Sequence, residues 1–306
     1  MKRIFSLMIV VLFSLEVYSQ GCSDAGFCTV GNIHPNIIDS SDQKSLKCSL
    51  FLANGIGDEG VYVFTPGIQF DFQSSKNLSF QSKLTANYAA GNLGNVLGLG
   101  DLFLSSSYLF SNKAVAKNSI TAGFKFPLNN GDLKFDGNSL PMQYQSSLGT
   151  IDFIIGYNIS IDKVTLNIAW QQPLTKRNSN SFLYKNSNSV DATKYTQSNI
   201  FNRKGDVLFR LGYNLISNKK WNWNSSLLAI YHLNDDSYEN KKLANSRVSL
   251  DGSKGLTVNI TSLVRYNINK KWSVGFFGGV PVVVRKIRPD GLTRTFSISP
   301  EVIVTF

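Results

Sequence analysis

The sequence predicts an all-β chain, a transmembrane antiparallel β-barrel of about twelve strands, with ten to fourteen also compatible. Three observations predict it. Residues 45–306 alternate apolar and polar side chains with a period of two, in segments about 10–14 residues long. Soluble strands average about 5–6 residues, whereas strands that cross a bilayer at a tilt need about 9–11. The connections between these segments alternate short and long, and an export signal precedes them, with no later run of 18 apolar residues to make a helical span.

The chain divides into residues 1–19, 20–44 and 45–306. In the first, Lys2 and Arg3 precede an apolar stretch from Ile4 to Leu15, too short for a spanning helix, and Val17-Tyr18-Ser19 fits a signal-peptidase site. The mature chain then begins at Gln20. A lipoprotein cut before Cys22 is the alternative, which Ser19-Gln20-Gly21 fits poorly. In 20–44, "GCSDAGFC" suggests a Cys22–Cys28 disulfide in an oxidising periplasm. Cys48 is left over, so pairings with it stay open. His34 lacks further ligands near it, and no metal or cofactor is expected. The segment cannot bury a core of its own. It either hangs below the membrane or enters the lumen as a plug, packing Phe27, Val30, Ile33 and Ile37 against Phe103, Leu109 or Ile154.

The barrel follows from residue 45. Short connections fall at 74–76, 112–116, 161–163, 218–220 and 269–270. Longer ones fall at 54–59, 91–97, 128–145, 174–203, 234–254 and 285–292. Short periplasmic turns and longer outer loops are the pattern of bacterial outer-membrane barrels, which places this chain in the outer membrane of a Gram-negative cell envelope. In the last strand Phe296, Ile298, Val302, Val304 and Phe306 share one face; in "LTVNITSLVRYNI", Leu256, Val258, Ile260, Val264, Tyr266 and Ile268 do. The apolar face meets outer-membrane lipid. Two near-copies, "YNLISNKKW" and "YNINKKW", join strands. With Tyr108 and Tyr157, their rings Tyr213, Trp221, Tyr266 and Trp272 form an aromatic girdle at headgroup level, where an amphipathic ring belongs. The ending "VIVTF" resembles the terminal signal read by the barrel assembly machinery, with Phe306 as its final aromatic.

The opposite face lines the lumen. Its charged members are Lys83, Lys125, Asp152, Arg210, Arg265 and Glu301, an excess of basic groups in which opposing pairs cross-link the wall. Twelve strands enclose a backbone diameter of roughly 24 Å, narrowed by side chains to about 10 Å. The net charge of +11 does not indicate nucleic acid, because Lys and Arg are scattered with no compact patch. Nor does an enzyme emerge: His34 and His232 are the only histidines, and Ser226 lies about 20 Å along the strand from His232. The Gly-rich "AAGNLGNVLGLGD" reads as loop and strand start, not a nucleotide cradle.

Residues 97–127, "LGLGDLFLSSSYLFSNKAVAKNSITAGFKFP", with "SSLGTIDFIIGYNIS" at 146–160, resemble the outer-membrane channels associated with the meta-pathway of phenol degradation, relatives of the long-chain fatty acid transporters. The resemblance covers about a fifth of the chain. It implies a porin-like channel for passive passage of a small, hydrophobic solute, and it carries over no substrate-binding residue. The alternative is a non-transporting barrel that assembles surface partners through its long loops.

Overall fold

The computed structural model describes residues 44–112, 116–175, 178–240, 246–291 and 294–306. The export signal, the Cys22–Cys28 bridge, His34 and the plug reading of 20–43 lie outside them. Cys48, half-buried, has no disulfide partner among the described residues.

Among the described residues sixteen strands form in chain order. They are β1 (Ser45–Gly57), β2 (Tyr62–Gln73), β3 (Leu78–Gly91), β4 (Gly94–Asn112), β5 (Ala116–Pro127), β6 (Lys134–Phe135), β7 (Asn138–Ser139), β8 (Asp152–Ile161), β9 (Val164–Pro173), β10 (Asp206–Ser217), β11 (Trp221–His232), β12 (Ser237–Asn240), β13 (Ser246–Ser249), β14 (Gly255–Asn267), β15 (Trp272–Val283) and β16 (Arg294–Thr305). β6–β7 and β12–β13 are small hairpins inside long connections. The other twelve strands close into one antiparallel barrel, with β16 sealed onto β1 from Lys47↔Thr305 to Gly57↔Arg294.

The alternation decides which way each side chain points. Leu50, Phe70, Leu104, Phe124, Ile168, Leu211, Leu227, Ile260, Phe276 and Val302 stand exposed on the outer surface. Their alternating neighbours Ser49, Gln81, Thr121, Asn167, Arg210 and Thr261 are buried inside. A soluble protein would not expose so continuous an apolar belt; a lipid-facing wall must. The aromatic residues at its lower edge are positioned by their turns. Asn218 Oδ1 accepts from the N–H groups of Lys220 (2.9 Å) and Trp221 (2.8 Å), and Asn269 Oδ1 does the same for Lys271 (2.8 Å) and Trp272 (2.9 Å). The repeated Asn is therefore the turn-former, whose side chain substitutes for a backbone acceptor. Trp221 then pairs in register with Tyr266, ring centroids 4.7 Å apart.

Most connections shift by a residue or two from the sequence reading, and four of the outer ones are worth naming. The first outer turn is 58–61, not 54–59, and 91–97 is not a loop: residues 92–93 are the whole turn, and β4 starts at Gly94 with φ +120°. The Gly-Leu-Gly-Asp residues therefore lie inside a 19-residue strand. A Cβ on Gly98 would come within 2.6 Å of Ser146 Oγ, so that glycine serves close approach rather than a bend. The 128–145 loop runs on to 151, since 146–150 turn through Gly149 (φ +66°) and are buried rather than paired. The last connection spans 284–293.

The outer and inner faces call for different tolerances. Ile260, 49% exposed in the middle of β14, becomes strongly destabilising as Ile260→Arg, by about 2–4 kcal/mol, whereas Trp272→Arg at the rim costs about 0–1 kcal/mol. Urea unfolding of the two variants in bilayers measures both, and equal losses contradict the assigned depths.

Candidate functional site

Two regions of the interior carry chemistry: the lumen wall and the cap that the long connections build above it.

On the wall, Phe103, Ile154, Ala169, Leu208 and Leu228 meet in one apolar cluster, with Ile230 packed on it. The register sets this up. Ala169, Leu208 and Ile230 are direct neighbours across β9, β10 and β11, and Leu228 stands beside Arg210. Above the cluster Lys125 Nζ lies 2.9 Å from Asp152 and 4.0 Å from Asp101. Asp152 also accepts from Thr150 (2.6 Å) and Gln171 (2.5 Å), so a fully buried charge is surrounded by donors, the condition under which it is tolerated. Lower down Arg265 pairs with Glu301 at 2.7 Å. Lys83 sits 4.3 Å over the ring of Phe51, which finds its space against the bare Cα of Gly67. Arg210 is buried between Asn167 and Leu228. Tyr108, Tyr157, Tyr213, Trp221 and Trp272 are exposed, Tyr266 half-exposed, and Phe306 is exposed with its N–H on Leu46 O.

The cap was not legible in the sequence. The described residues of connections 128–151, 174–205, 233–254 and 284–293 fold onto each other instead of projecting outward. Val61, Val63, Ala89 and Val96 at the tops of β2–β4 pack with Leu140, Tyr144, Phe182, Ala192 and Tyr195. Met142, Leu148 and Phe201 form a second cluster, with Leu250 against it. Asn side chains stitch the backbones together. Asn180 donates to Gly131 O and Leu140 O, both at 2.9 Å, and Asn178 to Leu148 O at 2.9 Å. Asn180 is thus buried, and a tag there would not be displayed as its place in a long polar loop suggests.

A charged layer lies on the other side of the cap. Arg203 reaches Asp206 (2.5 Å) and Asp290 (3.4 Å), Asp290 pairs with Arg285 (2.8 Å), and His232 lies between Asp206 (2.7 Å) and Asp236 (2.9 Å). Burial opposes the charge on Arg203, but Asp206 and Asp290 outweigh it and push the guanidinium above its ordinary value. Burial likewise opposes ionisation of Asp290, yet Arg285 and Arg203 hold it well below the usual carboxylate range. A cavity of about 10 Å³, room for about one water, borders Asp290 and Asp101, and the second Asp290 oxygen has no protein partner. Further round, Arg288 bonds Asp58 on the β1–β2 turn at 2.7 Å, while burial still pushes that carboxyl up to about 6. His232 is therefore a member of an ionic network, not the plain wall residue its alternation suggests. Ser226 pairs with Thr261 instead, at 2.7 Å.

No family model and no curated protein matches the chain. Solved structures do. The crystal structure of an outer membrane channel from Pseudomonas putida F1 overlays with a TM-score of 0.60 at 11% identity, covering 89% of this chain and 99% of that one. The chain has the fold of an outer-membrane β-barrel. At such low identity the likeness shows the fold alone, and a relation to the fatty acid transporters is not shown. The translocator domain of the autotransporter NalP from Neisseria meningitidis (TM-score 0.47, 9% identity, 92% of this chain and 95% of that one) and the CymD monoaromatic hydrocarbon channel (0.42, 9%, 95% and 98%) overlay too loosely to add to it.

Two outcomes follow from the cap. A tag at Val190, 86% exposed, is reached by antibody on intact cells, whereas one at Asn218 in a short turn is reached only after the cells are broken. Arg203→Met leaves two buried carboxylates short of a cation, and loosens the cap by about 3–5 kcal/mol. Limited proteolysis within 174–205 reads it.

Proposed function

We propose that the barrel is a channel for passive passage of a small solute with hydrophobic surface, and that its capped form is the resting one. The observation that carries this reading is the apolar cluster of Phe103, Ile154, Ala169, Leu208 and Leu228 inside a wall whose other inward positions are mostly polar. A wall built only to be filled with water has no need of such a patch, whereas a solute that sheds water on its way through gains from it. The P. putida fold relative, itself described as an outer membrane channel, agrees with the reading. In this reading Lys83, Lys125, Asp152, Arg210, Arg265 and Glu301 line the path, the outward rings seat the barrel in lipid, and Phe306 presents the assembly signal. The alternative, loops that gather surface partners, has less support, since their apolar side chains are spent on one another within the cap. Catalysis by His232 would need a ring nitrogen available to a nucleophile, and both nitrogens face carboxylates.

Liposome uptake tests the proposal. Replacing 178–201 by a short Gly-Ser linker should raise the flux of small aromatic solutes several-fold over the wild type. Leu208→Asn with Leu228→Asn in that background should then slow aromatic solutes while sparing small sugars. A trimmed, folded barrel that passes neither class contradicts the channel reading.

A further inference from the structure

The two ring nitrogens of His232 face carboxylates on different elements. Nδ1 lies 2.7 Å from Asp206 Oδ1 on β10, and Nε2 lies 2.9 Å from Asp236 Oδ1 in the 233–254 connection. An ionised carboxylate only accepts hydrogen bonds, and a neutral imidazole has one N–H to give. Only the imidazolium satisfies both contacts at once.

We propose that His232 is a proton-operated bolt for the cap: when protonated it pins the 233–254 connection to the barrel wall, and when it loses the proton the cap comes away along its charged edge. For its consequence, a pore that opens as pH rises, the inference rests on the channel reading above; the bolt itself can be tested without any flux.

The charge balance supports it. Arg203, His232 and Arg285 face Asp206, Asp236 and Asp290. With His232 protonated, three cations meet three anions. Without that proton the buried layer carries a net negative charge, and one carboxylate faces a lone pair. A buried charge that loses its partner costs far more than a solvent-exposed one. Asp236, itself fully buried, is the weak point of this arrangement. Its Oδ1 also accepts from the Lys204 N–H (2.8 Å), but Oδ2 has no protein partner, so the imidazolium is the main compensation for its charge. The 233–254 connection in turn holds its neighbours: Ser237 bridges to Asn202, and Ser253 O accepts from Arg285 (2.9 Å). Releasing Asp236 therefore unfastens the 174–205 and 284–293 connections as well.

The sign follows from this. Closure is complete below about pH 6.5, where a free imidazole is already protonated, and weakens as pH climbs through and beyond that range. The other groups near the layer do not supply the change. The arginines stay charged, Lys125 and Asp152 form their own pair beneath it, Asp235 is bonded to the backbone of 252–254, and Asp58, its carboxyl pushed up to about 6, gains charge opposite Arg288 as pH rises, which tightens the cap rather than releasing it.

The test uses the full chain in liposomes, with Cys22, Cys28 and Cys48 replaced by serine and one reporter thiol added. Ser198→Cys is wholly buried in the cap on Asn180; Val190→Cys is exposed and corrects for the thiol's own pH dependence. The ratio of their labelling rates with a membrane-impermeant thiol reagent should rise about tenfold from pH 6.5 to 9. His232→Gln should flatten the profile. Asp236→Asn should flatten it in the closed sense, because a neutral imidazole can donate to Asp206 and accept from the new amide. A flat wild-type ratio overturns the bolt, and so does a wild-type rise in either variant. A rising ratio with no rise in conductance leaves the bolt standing and overturns the channel reading.

Discussion

Within a bilayer no water is on hand to bond a peptide group, so each N–H and C=O at that depth must find its partner in the protein. For a chain of strands the only complete answer is closure, and the seam between β1 and β16 is where this chain meets the demand. The rest follows from that seam. A closed wall has two faces, so each strand must alternate, and the polar face turned inward must be satisfied within a narrow space. Lys125, Asp152, Thr150 and Gln171 form one such settlement, and Arg265 with Glu301 another.

The same accounting governs the cap. Its connections are rich in Asn and Ser, residues ordinarily left to solvent. Here Asn178 and Asn180 bond backbone carbonyls of the neighbouring connection, which lets irregular chain be buried with those carbonyls paired. The cap is a small folded body in its own right, apolar where it meets β2–β4 and ionic where it meets β10 and β11.

Much of the barrel was legible because its signals are local. A period of two fixes the face of each residue, and Asn218 and Asn269 announce their turns within three residues. The cap was not legible because its contacts are remote. Arg203 and Asp290 are 87 residues apart, Arg288 and Asp58 are 230 apart, and no spacing rule links them. Asn180 as a polar loop residue and Asn180 as a buried staple read the same in one dimension. The glycines of β4 misled for a related reason. Gly98 reads as a loop or strand start until Ser146, from a distant connection, is seen pressed against it.

The length of β4 has a mechanical meaning. Its partner on one side, β5, ends at Pro127 opposite Asp101, while β4 and β3 climb on together to the turn at 92–93. β2 accompanies β3 on its other side as far as Tyr62↔Ala90, so a stiff upright of paired strands stands at one edge of the mouth, and Ala89 and Val96 fix the cap's apolar core to it. The fastening on the far edge is made of charges. A lid held along one side by packing and along the other by ions has a hinge side and a latch side, so it swings rather than lifts. The doorway it uncovers faces β10 and β11.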